Sequence, residues 1–162
     1  MRDDELDKRA EAVLALCRKR GWKLATAESC TGGMVTAALT AIAGSSDVVE
    51  RGFVTYSNQA KTELLGVPAT LIETRGAVSA ETAAAMAAGA LAQAPVDLAV
   101  SITGIAGPGG GSPEKPVGLV YFGIARKGGK LATERQIFAG DRSAIRRAAT
   151  LRALQLLSEA AS

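Results

Sequence analysis

Trp22-Lys23-Leu24-Ala25-Thr26-Ala27-Glu28-Ser29-Cys30-Thr31-Gly32-Gly33 reads as a short strand, a tight turn and the opening of a helix. The strand is expected over Trp22 to Ala27, and a helix of small residues from Thr31 to about Ala41. A strand that runs into a helix N-terminus leaves free backbone N–H groups at the rim of a sheet, and units of this kind build α/β layers. On the N-terminal side, residues 3 to 20 predict a helix that Gly21 stops. Asp3, Asp4 and Glu5 in its first turn and Arg18, Lys19 and Arg20 in its last match the helix dipole. Leu6, Ala10, Val13, Leu14 and Cys17 share one face of it, which makes Cys17 a core residue.

On the C-terminal side, Gly44-Ser45-Ser46-Asp47 is a loop and Val48 to Tyr56 is β-rich. Helical signals resume over Asn58 to Gly66, and Pro68 can open a short helix to about Glu73. Ser79 is an N-cap for a helix from Ala80 to Gln93, which Pro95 ends. Val96 to Thr103 reads as a buried strand, and Gly104 to Pro116 as a loop with five glycines and three prolines. Strands over Val117 to Arg126 and Lys130 to Phe138 are joined by the hairpin turn Lys127-Gly128-Gly129. Asp141 then caps a helix to about Glu159. Helices alternating with strands predict an α/β fold: a three-layer α/β/α sandwich around a mixed, mostly parallel sheet with one C-terminal hairpin. The 162 residues are expected to form one domain, 1–162.

Composition narrows the chemistry. The chain has no histidine and two cysteines, Cys17 and Cys30. That excludes Ser-His-Asp and Cys-His catalysis, histidine-bearing metal sites and a four-thiolate site. No metal and no cofactor are expected, and proton transfer must run on Lys, Tyr, Asp or Glu. A net charge of +3 with interleaved signs, and 4% aromatic residues, argue against a nucleic-acid partner. No apolar run is long enough to span a membrane, and the acidic N-terminus lacks the apolar core of a signal peptide, so a cytoplasmic protein is expected.

The turn after the first strand is the first candidate site. N–H groups there can hold an anion or stabilise the oxyanion formed when a carbonyl is attacked. Ser29 is one candidate nucleophile, with Gly32 and Gly33 allowing close approach. Cys30 is its rival, since a thiolate at a helix N-terminus would be activated, and spacing does not separate the two. An ordinary helix cap explains the same residues. For a base, Ser112-Pro113-Glu114-Lys115 matches S-x-x-K, but its prolines deny it the helix that would put both side chains on one face. Lys61 remains, about one turn into a helix that follows Tyr56 at a strand end. It would have to work neutral, and bringing its pKa near 7.5 takes roughly 4 kcal/mol of desolvation or like-charge repulsion. A Tyr56 hydroxyl bridging Ser29 and Lys61 would ease that by relaying the proton. The alternative is a surface lysine on an amphipathic helix. The glycine loop from Thr103 resembles a phosphate cradle without matching a known one, and a lid or crossover is as natural. Arg142 and Arg146, at i, i+4 spacing, suit either a phosphate or solvent.

Five segments together carry a resemblance. Thr26-Ala27-Glu28-Ser29-Cys30-Thr31-Gly32-Gly33, Gly52-Phe53-Val54-Thr55-Tyr56-Ser57-Asn58 with Lys61, Gly76-Ala77-Val78-Ser79, Ser101-Ile102-Thr103-Gly104-Ile105-Ala106-Gly107-Pro108-Gly109-Gly110 and Phe138-Ala139-Gly140-Asp141-Arg142 resemble the CinA C-terminal domain family, the nicotinamide-nucleotide amidohydrolases. The similarity runs in order from about Asp7 to Leu157. It implies metal-free hydrolysis of the carboxamide of nicotinamide mononucleotide to nicotinate mononucleotide and ammonia. It further implies Ser29 as nucleophile with Tyr56 and Lys61 completing a Ser-Tyr-Lys arrangement. Cys30, Thr31, Gly32, Gly33, Asn58, Thr103, Gly104, Ala106 and Arg142 would line the nucleotide site. Longer members carry a molybdopterin-binding-like domain ahead of this one, and the chain is expected to be the stand-alone form. A small nucleotide substrate and a homo-oligomer, dimer or higher, are the expected partners. The competing reading is a non-catalytic nucleotide- or phosphate-binding module acting through partners in competence or DNA damage. A hydrolase of free nicotinamide is a third.

Overall fold

The computed structural model describes residues 3–162. Among the described residues, six α-helices and five strands follow one another as α1 (Asp4–Arg20), β1 (Leu24–Glu28), α2 (Met34–Thr40), β2 (Val49–Val54), α3 (Asn58–Leu65), α4 (Ala69–Arg75), α5 (Ala80–Gln93), β3 (Leu98–Gly104), β4 (Leu119–Arg126), β5 (Leu131–Ile137) and α6 (Arg142–Ala161), with a 3-10 turn at Ser45–Asp47. The sheet order is β2-β1-β3-β4-β5. β1 pairs in parallel with β2 and β3, and β4 runs antiparallel between β3 and β5. Four strands therefore share a direction and β4 alone opposes them, as the alternation of elements implied.

The two faces of the sheet differ in side-chain size. Leu98, Val100 and Ile102 of β3 and Val120 and Phe122 of β4 pack with Val13 and Leu14 of α1 and Ile145, Leu154 and Leu157 of α6 in the larger core. The opposite face presents Ala25, Ala27, Ala99 and Ser101 to α5, whose Ala83, Ala87 and Ala90 are fully buried. A Cβ on Gly123 would stand 2.4 Å from the Ala83 carbonyl oxygen, so the alanine-rich helix lies directly on the strands. Cys17 is fully buried in α1.

Element boundaries shift where a turn competes with propensity. The helix expected from Thr31 begins only at Met34, because Gly32 and Gly33 adopt positive φ of 58° and 107° and spend residues 29–33 on the turn. The first strand reaches one residue further than expected, to Glu28. Its carbonyl accepts from Thr55 N–H at 2.9 Å, which extends the β1–β2 pairing to the point where both chains leave the sheet.

Candidate functional site

The carboxyl ends of β1, β2 and β3 meet at one edge of the sheet, where open α/β sheets place their ligands. Ser29 follows β1 directly, and its N–H donates to the Ile102 carbonyl of β3 at 2.9 Å. Lys61 arrives from β2 through α3. Ser57 caps that helix by accepting from Ala60 N–H at 3.0 Å, and this turns Lys61, one turn in, toward the sheet.

Lys61 is 1% exposed, among the largest of the fully buried side chains. Its Nζ donates to Ser29 Oγ at 2.9 Å, to the Thr55 carbonyl at 2.8 Å and to the Tyr56 carbonyl at 3.3 Å. No carboxylate among the described residues pairs with it. Burial consequently pulls its pKa down from the ordinary 10.5 to about 8. A neutral lysine here keeps two N–H bonds for the two carbonyls and turns its lone pair to the serine hydroxyl. The arrangement can take a proton from Ser29 at mildly alkaline pH.

The thiol beside it behaves differently. Burial pushes Cys30 up to about 11, so the activation expected of a cysteine at a helix N-terminus is overruled by desolvation and the group is a thiol at neutral pH. Gly32 N–H is engaged by the Ser29 carbonyl, and Met34 N–H by that of Thr31.

A cavity of about 330 Å³ opens over Ser29 and Lys61. Cys30, Tyr56, Asn58, Thr103, Gly104, Ala106 and Arg142 also line it, while Thr31, Gly32 and Gly33 do not reach it. Thr31 is fully buried and donates its hydroxyl to Glu28, and the two glycines shape the turn. Thr103 donates its hydroxyl to the Ala77 carbonyl at 2.7 Å, which fixes the start of the glycine loop against the segment before α5. The expected bridge through the Tyr56 hydroxyl is not formed. That ring is 64% exposed at the rim, and its oxygen accepts from Arg142 at 3.3 Å, while the main-chain carbonyl of the same residue meets Lys61. Distance decides this, since Lys61 already reaches Ser29 directly.

The two arginines of the last helix part company. Arg142 donates to the Gly107 carbonyl at 2.7 Å and so ties the glycine loop to the rim. Arg146 donates to the Cys30 carbonyl at 3.0 Å and the Thr31 carbonyl at 3.4 Å, gripping the turn itself. Its guanidinium lies 3.3 Å from where a Cβ on Gly32 would be. Sequence spacing linked Arg146 only to Arg142 and gave no sign of this long-range contact. Lys115 is in a loop, as its prolines require, and donates to the Arg75 carbonyl at 2.8 Å.

A desolvated lysine on a serine hydroxyl, at the carboxyl ends of parallel strands, defines an α/β protein with a serine–lysine site. The chain belongs to the CinA C-terminal domain family, whose family model matches residues 6–161. It is 53% identical over 157 residues to the nicotinamide-nucleotide amidohydrolase PncC of Escherichia coli (strain K12), covering 97% of this chain and 95% of that protein. A CinA-like protein of Citrifermentans bemidjiense is 53% identical over 154 residues, which are 95% of this chain but 36% of that longer protein. The crystal structure of the competence/damage inducible protein CihA from Agrobacterium tumefaciens has a TM-score of 0.94 at 45% identity, covering 97% of this chain and 96% of that one.

Proposed function

We propose that this protein is an amidohydrolase that converts nicotinamide mononucleotide to nicotinate mononucleotide and ammonia through a Ser29–Lys61 dyad. The observation that carries the mechanism is the 2.9 Å contact between Ser29 Oγ and a buried lysine that no carboxylate among the described residues pairs with. The substrate is supported by the full-length similarity to proteins named nicotinamide-nucleotide amidohydrolase.

Neutral Lys61 takes the hydroxyl proton as Ser29 Oγ bonds to the carboxamide carbon. The resulting oxyanion is met by the backbone N–H of Cys30, the residue after Ser29 that lines the cavity. The C–N bond then breaks as the Lys61 ammonium returns the proton to the departing nitrogen, which leaves as ammonia. Water attacks the acyl-serine, its proton passes to Lys61, and collapse of the second tetrahedral intermediate returns that proton to Ser29 Oγ. No proton needs to pass through the Tyr56 hydroxyl. Tyr56 and Arg142, joined at the rim, are instead suited to the polar remainder of the nucleotide.

A purely binding module has no use for burying a lysine against a serine, which costs stability, and this weighs against the non-catalytic reading. The test is ammonia release from nicotinamide mononucleotide and, separately, from free nicotinamide. Turnover of the mononucleotide with little or none of the free base is the expected result. Equal turnover would make it a nicotinamidase, and no release from either would remove the hydrolase reading.

A further inference from the structure

We infer that Glu28 is a positioning residue of the hydrolytic site: its buried carboxylate holds the Ser29–Gly33 turn from below and so keeps Ser29 Oγ on Lys61. This rests on the proposed Ser29–Lys61 chemistry and adds to it a residue that never touches substrate. Glu28 is fully buried, yet no basic side chain among the described residues pairs with it. Its Oε1 accepts from the Thr31 hydroxyl at 2.7 Å and from Val35 N–H at 2.9 Å. Its Oε2 accepts from Thr36 N–H and from the Thr36 hydroxyl, both at 3.0 Å. The Thr26 hydroxyl lies 2.6 Å from that of Thr36 and 3.4 Å from Oε2, completing a group in which both carboxylate oxygens act only as acceptors.

The need for a distant carboxylate follows from the turn. α1, α3, α5 and α6 are capped by their own N-cap side chains, Asp3, Ser57, Ser79 and Asp141. α2 has Gly33 at that position, in a left-handed conformation that favours glycine, and glycine has no side chain to cap with. Glu28, which immediately precedes Ser29, supplies the missing acceptor and thereby links the strand end to the first turn of α2 across the five residues of the turn. The sheet makes room for it. A Cβ on Gly52 of β2 would lie 2.4 Å from the Thr36 hydroxyl oxygen and 2.9 Å from that of Thr26. The Glu28 main chain is tied to the other half of the dyad as well, because its carbonyl accepts from Thr55 N–H and the Thr55 carbonyl accepts from Lys61.

A carboxamide at position 28 would turn an NH2 group toward N–H or O–H donors on one side and loosen the turn without changing its volume. Displacing a reacting group by about 1 Å costs on the order of 100-fold. Glu28→Gln is therefore expected to lower kcat for the mononucleotide by about 10- to 100-fold with KM within about twofold. Thr36→Val, which removes one hydroxyl donor and keeps the shape, is expected to give a smaller loss in the same parameter. It serves as the readout if Glu28→Gln does not fold. Reaction of Ser29 with a small sulfonyl fluoride, followed by mass spectrometry with Ser29→Ala as the blank, reports serine activation without the nucleotide. It should slow in parallel with kcat.

Folded variants with wild-type kcat and wild-type sulfonylation would overturn the assignment, as would a loss confined to KM or to thermal stability. Should the wild type sulfonylate at Ser29 but release no ammonia, the hydrolase reading fails, and slower labelling of the variants would still support Glu28. A wild-type Ser29 that neither labels nor turns over would remove both.

Discussion

At the scale of single residues, Lys61 sets the pH behaviour. The base must be neutral, so kcat/KM should rise with pH and level off above about 8, the value to which burial brings this lysine. The same shift carries a stability cost with a defined window. Below pH 8 both folded and unfolded chains carry the ammonium, and the burial penalty is fully present. Between 8 and 10.5 the unfolded chain binds the additional proton, so stability rises with pH, by about 3 kcal/mol in all. Denaturant titrations of wild type and Lys61→Met across pH 7 to 10.5 should show this slope in the wild type and lose it in the variant, which also loses activity. Tyr56→Phe separates the two roles of its residue. The carbonyl on Lys61 is kept, so the pH midpoint should stay in place while KM rises severalfold with the loss of the hydroxyl that Arg142 contacts.

At the scale of elements, the dyad depends on how closely α3 is held to α5. A Cβ on Gly89 of α5 would stand 2.0 Å from the Leu65 carbonyl oxygen at the end of α3, so this glycine permits the approach that seats Lys61. Gly89→Ala should cost about 1–3 kcal/mol by overpacking and lower kcat as α3 is pushed outward, measured by denaturation and turnover on one preparation. Much of this layer was legible in the sequence. Cap residues, prolines and the Lys127-Gly128-Gly129 turn carry local signals, and the elements fall within a few residues of expectation. The start of α2 was less legible, because two consecutive glycines at positive φ are compatible with either a helix start or a turn. Remote contacts had no local signal at all. Glu28 caps a helix that begins six residues after it, and Arg146 reaches back more than a hundred residues to the turn.

At the scale of the whole molecule, the sheet brings residues distant in sequence to one rim: Ser29 from β1, Lys61 from beyond β2, the glycine loop from β3 and Arg142 from the last helix. The missing histidine had narrowed the possible bases, and the lysine beside Ser29 occupies the place such a base requires. Composition could not reveal burial, which separates Lys61 from the other lysines. Ser29 and Cys30 are almost equally buried, and what separates them is contact: Lys61 meets the serine hydroxyl at 2.9 Å, while burial holds the Cys30 thiol protonated. The most direct test compares ammonia release from nicotinamide mononucleotide by wild type, Ser29→Ala and Cys30→Ser. Ser29→Ala should lose about 1,000-fold or more while Cys30→Ser stays active. Wild-type turnover by Ser29→Ala, or loss confined to Cys30→Ser, would contradict the account.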